Sequence, residues 1–182
     1  MMQELPKVEL HHMGLWVKDR HMMADFYCRL YGFHVSDRGR VRGIDFVFMT
    51  LDPNAHHQLV LASGRPDDVS FNVLNQILFR TESLANVRRF YQALLSEPVT
   101  GITPMTHGNA WSVYFQDPEG NRNEIFADTP WHVSQPLGQP MDMALPDDEI
   151  IRRTEALIRD NVTKKPFADW RRETATVMGR GD

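Results

Sequence analysis

The residues best suited to chemistry lie in one stretch, Thr106 to Phe126, which carries His107, Asn109, Tyr114 and Glu124. An imidazole exchanges protons near neutral pH, and a phenol can donate a hydrogen bond to an oxygen that gains charge. A carboxylate can ligate a metal or act as a base. Local sequence places all four on a hairpin. Ala110 to Phe115 is aromatic and β-branched, as strands are. Asp117-Pro118-Glu119-Gly120-Asn121 reads as a turn, because Pro118 presets φ, Gly120 accepts positive φ, and Asp117 and Asn121 can bond nearby backbone. Asn123-Glu124-Ile125-Phe126-Ala127 is the return strand. The remainder of the chain must supply the other wall of any site.

The elements around this hairpin fall into a repeat. Val8 to Val17 reads as a strand. Arg20 to Tyr31 is a helix with Phe26, Tyr27 and Leu30 at helical spacing and Gly32 as its stop. Short strands follow at about 33–37, 44–51 and 57–62, with Asp52-Pro53-Asn54 turning the last two. The order then begins again with a strand from Leu74 to Arg80, Ser83 as N-cap and a helix from Leu84 to Leu95. An offset of 64 carries His12 to Gln76, Phe26 to Phe90 and Leu30 to Leu94, and an offset of 65 carries Asp52 to Asp117 and Leu59 to Glu124. The unit is strand–helix–three strands, used twice. Neither copy can bury both faces of its curled sheet alone, so an α+β fold is expected, two βαβββ modules making a half-open, barrel-like cup. The modules are expected at about 8–64 and 72–128, forming one domain over 8–128.

From 129 to 182 the character changes. A proline-rich extended segment leads to a helix capped by Asp147, with Ile150, Ile151, Thr154, Leu157 and Ile158 as its apolar stripe, and a shorter helix from Phe167 to Met178. This tail is expected to pack on its own domain or on a second subunit, and a homo-oligomer is expected.

Composition excludes several classes. With 182 residues, 42% hydrophobic and 24% charged, the chain can bury a full core. A net charge of −4 gives no basis for nucleic-acid binding. No apolar run approaches the ~18 residues that a membrane span needs. The single cysteine, Cys28, excludes an internal disulfide framework, suits packing in the first helix, and with the absence of a signal-peptide pattern makes the cytoplasm the default compartment.

The duplicated module, the opening His11-His12-Met13-Gly14-Leu15-Trp16-Val17, and His107-Gly108-Asn109 followed by Tyr114 through Asp117-Pro118-Glu119-Gly120-Asn121 to Glu124 resemble the vicinal-oxygen-chelate superfamily. That group includes glyoxalase I, bleomycin-resistance proteins and type I extradiol dioxygenases. The resemblance implies metal ligands on the first strand of each module and on the last strand of the second, here His12, Gln76 and Glu124. Glyoxalase I adds a carboxylate on the last strand of the first module, where this chain has Leu59 as the repeat partner of Glu124, so a three-ligand site with open positions is implied.

The extradiol branch adds further matches: paired histidines before the fourth strand (His56-His57), a histidine before the penultimate strand (His107), and a tyrosine ten residues before the carboxylate (Tyr114). The resemblance therefore implies a dioxygenase that degrades aromatic compounds, cleaving a catechol-like ring with O2 at a mononuclear non-haem metal, Fe(II) first and Mn(II) or another divalent ion second. His57, His107 and Tyr114 would be catalytic, and His56, Asn109 and Trp111 would bind the small aromatic substrate. Trp16, Phe46, Phe48 and Trp111 are expected as apolar walls.

One position departs from that branch, which pairs two histidines with its carboxylate. Gln76 stands at the second histidine position and offers a neutral amide oxygen. The rival functions implied are a metal-dependent isomerase or transferase of the glyoxalase type, and a metal-free small-molecule binder of the bleomycin-resistance type.

Overall fold

In the computed structural model, which describes residues 6, 8–69 and 71–180, the chain divides into two compact units, Met1–Phe71 and Asn72–Asp182. The first holds β1 (Met13–Val17), α1 (Arg20–Tyr31), β2 (His34–Val41), β3 (Ile44–Thr50) and β4 (Leu59–Ser63). Asp19 caps α1, its carboxylate accepting from the backbone N–H groups of His21 and Met22 at 2.9 and 3.0 Å. Gly32, at φ +79°, closes the helix in the left-handed region that costs glycine little. The sheet runs β1-β4-β3-β2, with β1 parallel to β4. Successive strand residues point to opposite faces. Leu15, Val17, Val47, Met49, Leu59 and Leu61 share one face and are buried with Met23, Phe26, Tyr27 and Leu30 of α1. Gly14, Trp16, Phe46, Phe48, Val60 and Ala62 share the other.

The second unit repeats this order as β5 (Ile77–Arg80), α2 (Leu84–Leu94), β6 (Thr100–Thr106), β7 (Ala110–Gln116) and β8 (Arg122–Asp128). Ser83 caps α2 by accepting from Asn86 N–H. The tail adds β9 (Trp131–His132), β10 (Gln139–Pro140), α3 (Asp147–Leu157), β11 (Lys165–Pro166) and α4 (Phe167–Val177). The sheet order is β10-β6-β7-β8-β5, and β9 pairs with β11. The chain is thus an α+β protein with open sheets of four and five strands, neither closed into a barrel.

Several expected boundaries move. β1 and β5 begin at Met13 and Ile77, not at Val8 and Leu74, because β1 pairs only with β4, whose first residue, Leu59, lies opposite Met13. Residues 8–12 have no ladder to join, and Val8 and Leu10 are exposed. β2 runs on to Val41, and β4 starts at Leu59 rather than 57. The offset of 64 holds through the first strand, the cap and the helix start, since Met13, Asp19 and Arg20 correspond to Ile77, Ser83 and Leu84. It also holds for the last strand. Val60 lies opposite Gly14 and Phe48, and Glu124 lies opposite Leu78 and Tyr114. The register partner of Glu124 is therefore Val60, and that of Leu59 is Asn123. The offset of 65 belongs only to the Asp-Pro turns, because the first module's hairpin is two residues longer. It has 11 residues between Phe48 and Val60 against 9 between Tyr114 and Glu124, one extra on each side of the Asp-Pro pair. Valine cannot ligate a metal any more than leucine can, so the asymmetry between the modules stands.

The tail packs within the second unit. Its first helix is not capped by Asp147: the N-cap is Pro146, which makes no side-chain cap bond. Asp147 serves instead as the anchor for Arg88 of α2, accepting from Nε at 2.8 Å and Nη2 at 2.6 Å. The same guanidinium donates to the carbonyls of Leu145 (2.6 Å) and Met143. This fork suits arginine alone. Arg88→Ala is expected to cost about 2–3 kcal/mol, the range for charge-assisted bonds, and to lower Tm by about 5–10 °C in a chain of this size. Arg88→Lys should recover little of it, and thermal denaturation of the three proteins checks both.

Candidate active site

On β7 the residues alternate. Trp111, Val113 and Phe115 are buried on one face, while Ala110, Ser112 and Tyr114 look the other way. β8 continues the second face with Glu124 and Phe126, and β5 with Leu78, which is 49% exposed. Since α2 packs on this sheet and its inward residues Leu84, Val87 and Leu94 are buried, helix and core occupy the Val113 face. The Tyr114 face is left for a ligand.

Glu124 is the centre of that face. It is only 5% exposed, yet no Lys, Arg or His pairs with it among the described residues. Its Oε1 accepts from Ser112 Oγ at 2.6 Å and its Oε2 from Gln76 Nε2 at 3.0 Å. Gln76 sits immediately before β5. A buried anion held by neutral donors, with no countercharge, is suited to a cation. Among the described residues no three His, Cys, Asp or Glu side chains are grouped as a metal site. The expected donor set contains only two of those types, His12 and Glu124, with the Gln76 amide as third donor. The second module's half of that set, Gln76 and Glu124, is in hydrogen-bonded contact. The Glu124 carboxylate fits a divalent ion that accepts oxygen ligands, and Gln76, which here donates from Nε2, would bring its amide oxygen to such an ion by turning its amide over.

Tyr114 stands opposite Glu124 in the ladder, with the Arg122 guanidinium 4.3 Å over its ring. Burial, followed by the negative charge of Glu124, pushes its phenol up to about 12, so Tyr114 keeps its proton and donates. Its oxygen lies 2.8 Å from His107 Nε2, and His107 Nδ1 lies 2.6 Å from the Leu137 carbonyl. Leu78, His107, Asn109, Ala110, Tyr114, Glu124, Phe126 and Gln135 line a cleft of about 260 Å³. That volume accommodates a small molecule rather than a polymer.

The first module carries its own cluster. His12 precedes β1 and is exposed, and its ring centroid lies 4.4 Å from that of His57. His57 is half-buried, 5.2 Å from Phe48, and its Nδ1 is 2.9 Å from Nδ1 of His56. Burial, and then the charges of His12, His56 and His11, hold His57 below the ordinary histidine value. It is therefore unprotonated near neutral pH. Phe46 and Phe48 stack with ring centroids 6.0 Å apart, on the same sheet face as Trp16.

Trp111 is corrected. It lies on the face opposite Tyr114 and Glu124, is 5% exposed, and its Nε1 donates to Thr154 Oγ1 of α3 at 3.0 Å. It anchors the tail and is not among the residues that line the cleft beside Tyr114. The structure also adds three residues that sequence inspection passed over: Ser112, Gln135 and Leu137. Strand parity with Tyr114 and Glu124 was the available signal for Ser112. Nothing local marked the other two, which come from the tail. Ser112→Ala is expected to leave one oxygen of Glu124 unpaired, weakening metal affinity by about 10-fold, as loss of a residue that orients a ligand does. Metal titration by calorimetry checks this.

A family model of the glyoxalase/bleomycin resistance protein/dioxygenase superfamily matches residues 9–125. The chain belongs to that superfamily. Among curated proteins it is similar to biphenyl-2,3-diol 1,2-dioxygenase 2 of Rhodococcus globerulus, 26% identical over 121 residues, 64% of this chain and 61% of the relative. The match thus spans about three fifths of that relative's length. Among solved structures it is similar to a glyoxylase/bleomycin resistance protein/dioxygenase domain from Frankia sp. EAN1pec, with a TM-score of 0.57 and 21% identity over 69% of this chain and 100% of that one. It is also similar to the fosfomycin resistance protein FosX of Listeria monocytogenes, with a TM-score of 0.51 and 20% identity over 71% and 96%. These structural likenesses establish the shared fold. No helix among the described residues is long and apolar enough to cross a membrane.

Proposed function

We propose that this superfamily member is a metal-dependent dioxygenase of the extradiol type, opening the ring of a small catechol-like substrate with O2. The observation that carries this is the protonated Tyr114 phenol flanked by His107 and the buried, cation-free Glu124 on one sheet face. A relative whose name states ring-diol dioxygenation supports it. The metal donors are assigned to Glu124 and Gln76 in the second module and, on the family pattern, to His12 in the first. Bound there, Fe(II), or Mn(II) in its place, would supply a Lewis-acid centre able to take two adjacent oxygens and to exchange electrons.

The chain's own residues have separate tasks. His57, kept neutral by its surroundings, accepts a hydroxyl proton from the substrate. Tyr114 keeps its proton; in the free protein that O–H faces His107 Nε2, and it turns to donate to a substrate oxygen when the ligand is bound. His107, once its ring has taken up a second proton at Nε2, donates that proton to a substrate oxygen and returns to the neutral Nδ1–H form. Leu78, Ala110 and Phe126 give the cleft an apolar lining that excludes water from a flat ring.

The test is oxygen uptake with a panel of catechols after reconstitution with Fe(II) or Mn(II), together with elemental analysis. Stoichiometric O2 consumption and a yellow ring-opened product are expected. Gln76 favours one second reading, since a set with two oxygen donors also suits a non-redox metal in an isomerase or transferase. Firm metal binding with no O2 uptake on any catechol would decide for that reading, and no metal binding at all would decide for a metal-free binder.

A further inference from the structure

We propose that the tail segment 133–137 is a positioning device for His107: the Leu137 carbonyl, held in place by Gln135, fixes the imidazole as its Nδ1–H tautomer and so turns the Nε2 lone pair toward Tyr114. This rests on the assignment of His107 to the reaction, but its structural content stands on separate observations.

A carbonyl oxygen can only accept, so the 2.6 Å contact between His107 Nδ1 and the Leu137 carbonyl places the proton on Nδ1. In water the neutral ring prefers the other tautomer, with the proton on Nε2. Gln135 links the histidine to the carbonyl that faces it. Its Oε1 accepts from Leu137 N–H at 2.9 Å, while its Nε2 donates to the backbone carbonyl of His107 at 2.9 Å and to Asn109 Oδ1 at 3.0 Å. One exposed side chain thus ties the 107–109 turn to the tail from both sides. Gly108 permits the approach. It has φ +75°, and a Cβ there would lie 2.7 Å from Ile158, 2.9 Å from Val133 and 3.0 Å from Leu137. Thr129 closes the arrangement, its Oγ1 donating to the Gly108 carbonyl at 2.7 Å and its N–H to the Asn109 carbonyl at 2.9 Å.

The consequence is chemical. With Nδ1 permanently engaged, His107 gains and loses its working proton only at Nε2, the atom 2.8 Å from the Tyr114 oxygen. The neutral ring accepts there, and the cation donates there. Gln135 is therefore a positioning residue. It acts through His107 and is itself no catalytic group.

The experiment uses the full chain with 15N-labelled histidine at a pH where neutral rings dominate, read by long-range 15N–1H correlation. His107 is assigned by the signal that disappears in His107→Asn. Wild-type protein is expected to show Nδ1–H at His107, favoured by about tenfold, the worth of one well-formed hydrogen bond. Gln135→Glu keeps an acceptor for Leu137 N–H but sets carboxylate oxygens against the His107 carbonyl and Asn109. The preference should fall to about one or reverse, with the folded backbone spectrum retained. The isosteric Gln135→Met removes all the bonds without adding charge and serves if the charged variant unfolds. An Nε2–H ring in wild-type protein, or an unchanged Nδ1–H ring in the folded variants, would overturn the proposal. A fixed tautomer in a protein without ring-cleaving activity would keep this inference and sink only the functional one.

Discussion

Glu124→Gln is expected to abolish metal binding while leaving the protein folded. The replacement is isosteric, its amide oxygen can still accept from Ser112, its new NH2 can donate to Gln76 once that amide turns over, and it removes a buried charge that no cation balances among the described residues. The free protein should therefore lose little stability, or gain some. Metal affinity should fall by more than the ~10–100-fold that loss of a residue orienting a ligand costs. The difference is read most directly as a thermal shift. In wild-type protein a metal at about 100 times its Kd adds ~2.7 kcal/mol, a rise of about 5–10 °C for a chain of this size. The variant should show no rise. A metal-dependent shift that survives the substitution would remove Glu124 from the ligand set.

Gly108→Ala carries the largest expected loss of stability. The added Cβ would meet Ile158, Val133 and Leu137 at 3.0 Å or less, closer than side chains tolerate. The backbone there is at φ +75°, which costs a residue with a Cβ roughly 1 kcal/mol or more. Overpacking adds about 1–3 kcal/mol. A total of about 2–4 kcal/mol should lower Tm by about 5–15 °C, and the damage should be local. Amide exchange should quicken in 105–110, 133–138 and α3, while β1 to β4 keep their protection. Wild-type protection throughout the tail would show that it does not bear on Gly108 as the structure places it.

Much of the fold was legible because local signals and repeat agreed. Ser83 is a cap whose side chain can satisfy a helix N–H group, and it does so at the expected position. Gly32 and the Asp117 turn likewise follow from backbone chemistry alone. The failures came where partners decide. Alternation continues upstream of Met13 and Ile77, but a strand exists only where a neighbour supplies hydrogen bonds, and β4 and β8 end the ladders there. Sequence alignment of the Asp-Pro turns gives an offset of 65, but the first hairpin is two residues longer, one on each side of the turn, so the strand register returns to 64 by Val60 and Glu124. Residue type alone suggests a ring-binding role for Trp111, but strand parity sets it on the other face from Tyr114. Gln135 and Leu137 could not be read at all, since their contacts with His107 span about 30 positions of chain.

The alternation on β7 and β8 has a consequence for how this protein can change. Odd positions such as Val113, Phe115 and Ile125 answer to the helix, and even positions such as Ser112, Tyr114, Glu124 and Phe126 answer to the ligand. Selection for durability and selection for a new substrate therefore draw on interleaved but separate sets of residues. A library confined to Leu78, Ala110 and Phe126 would reshape the cleft without reaching the packed side of the sheet. Such a division lets one scaffold diversify its chemistry while its folding stays nearly constant.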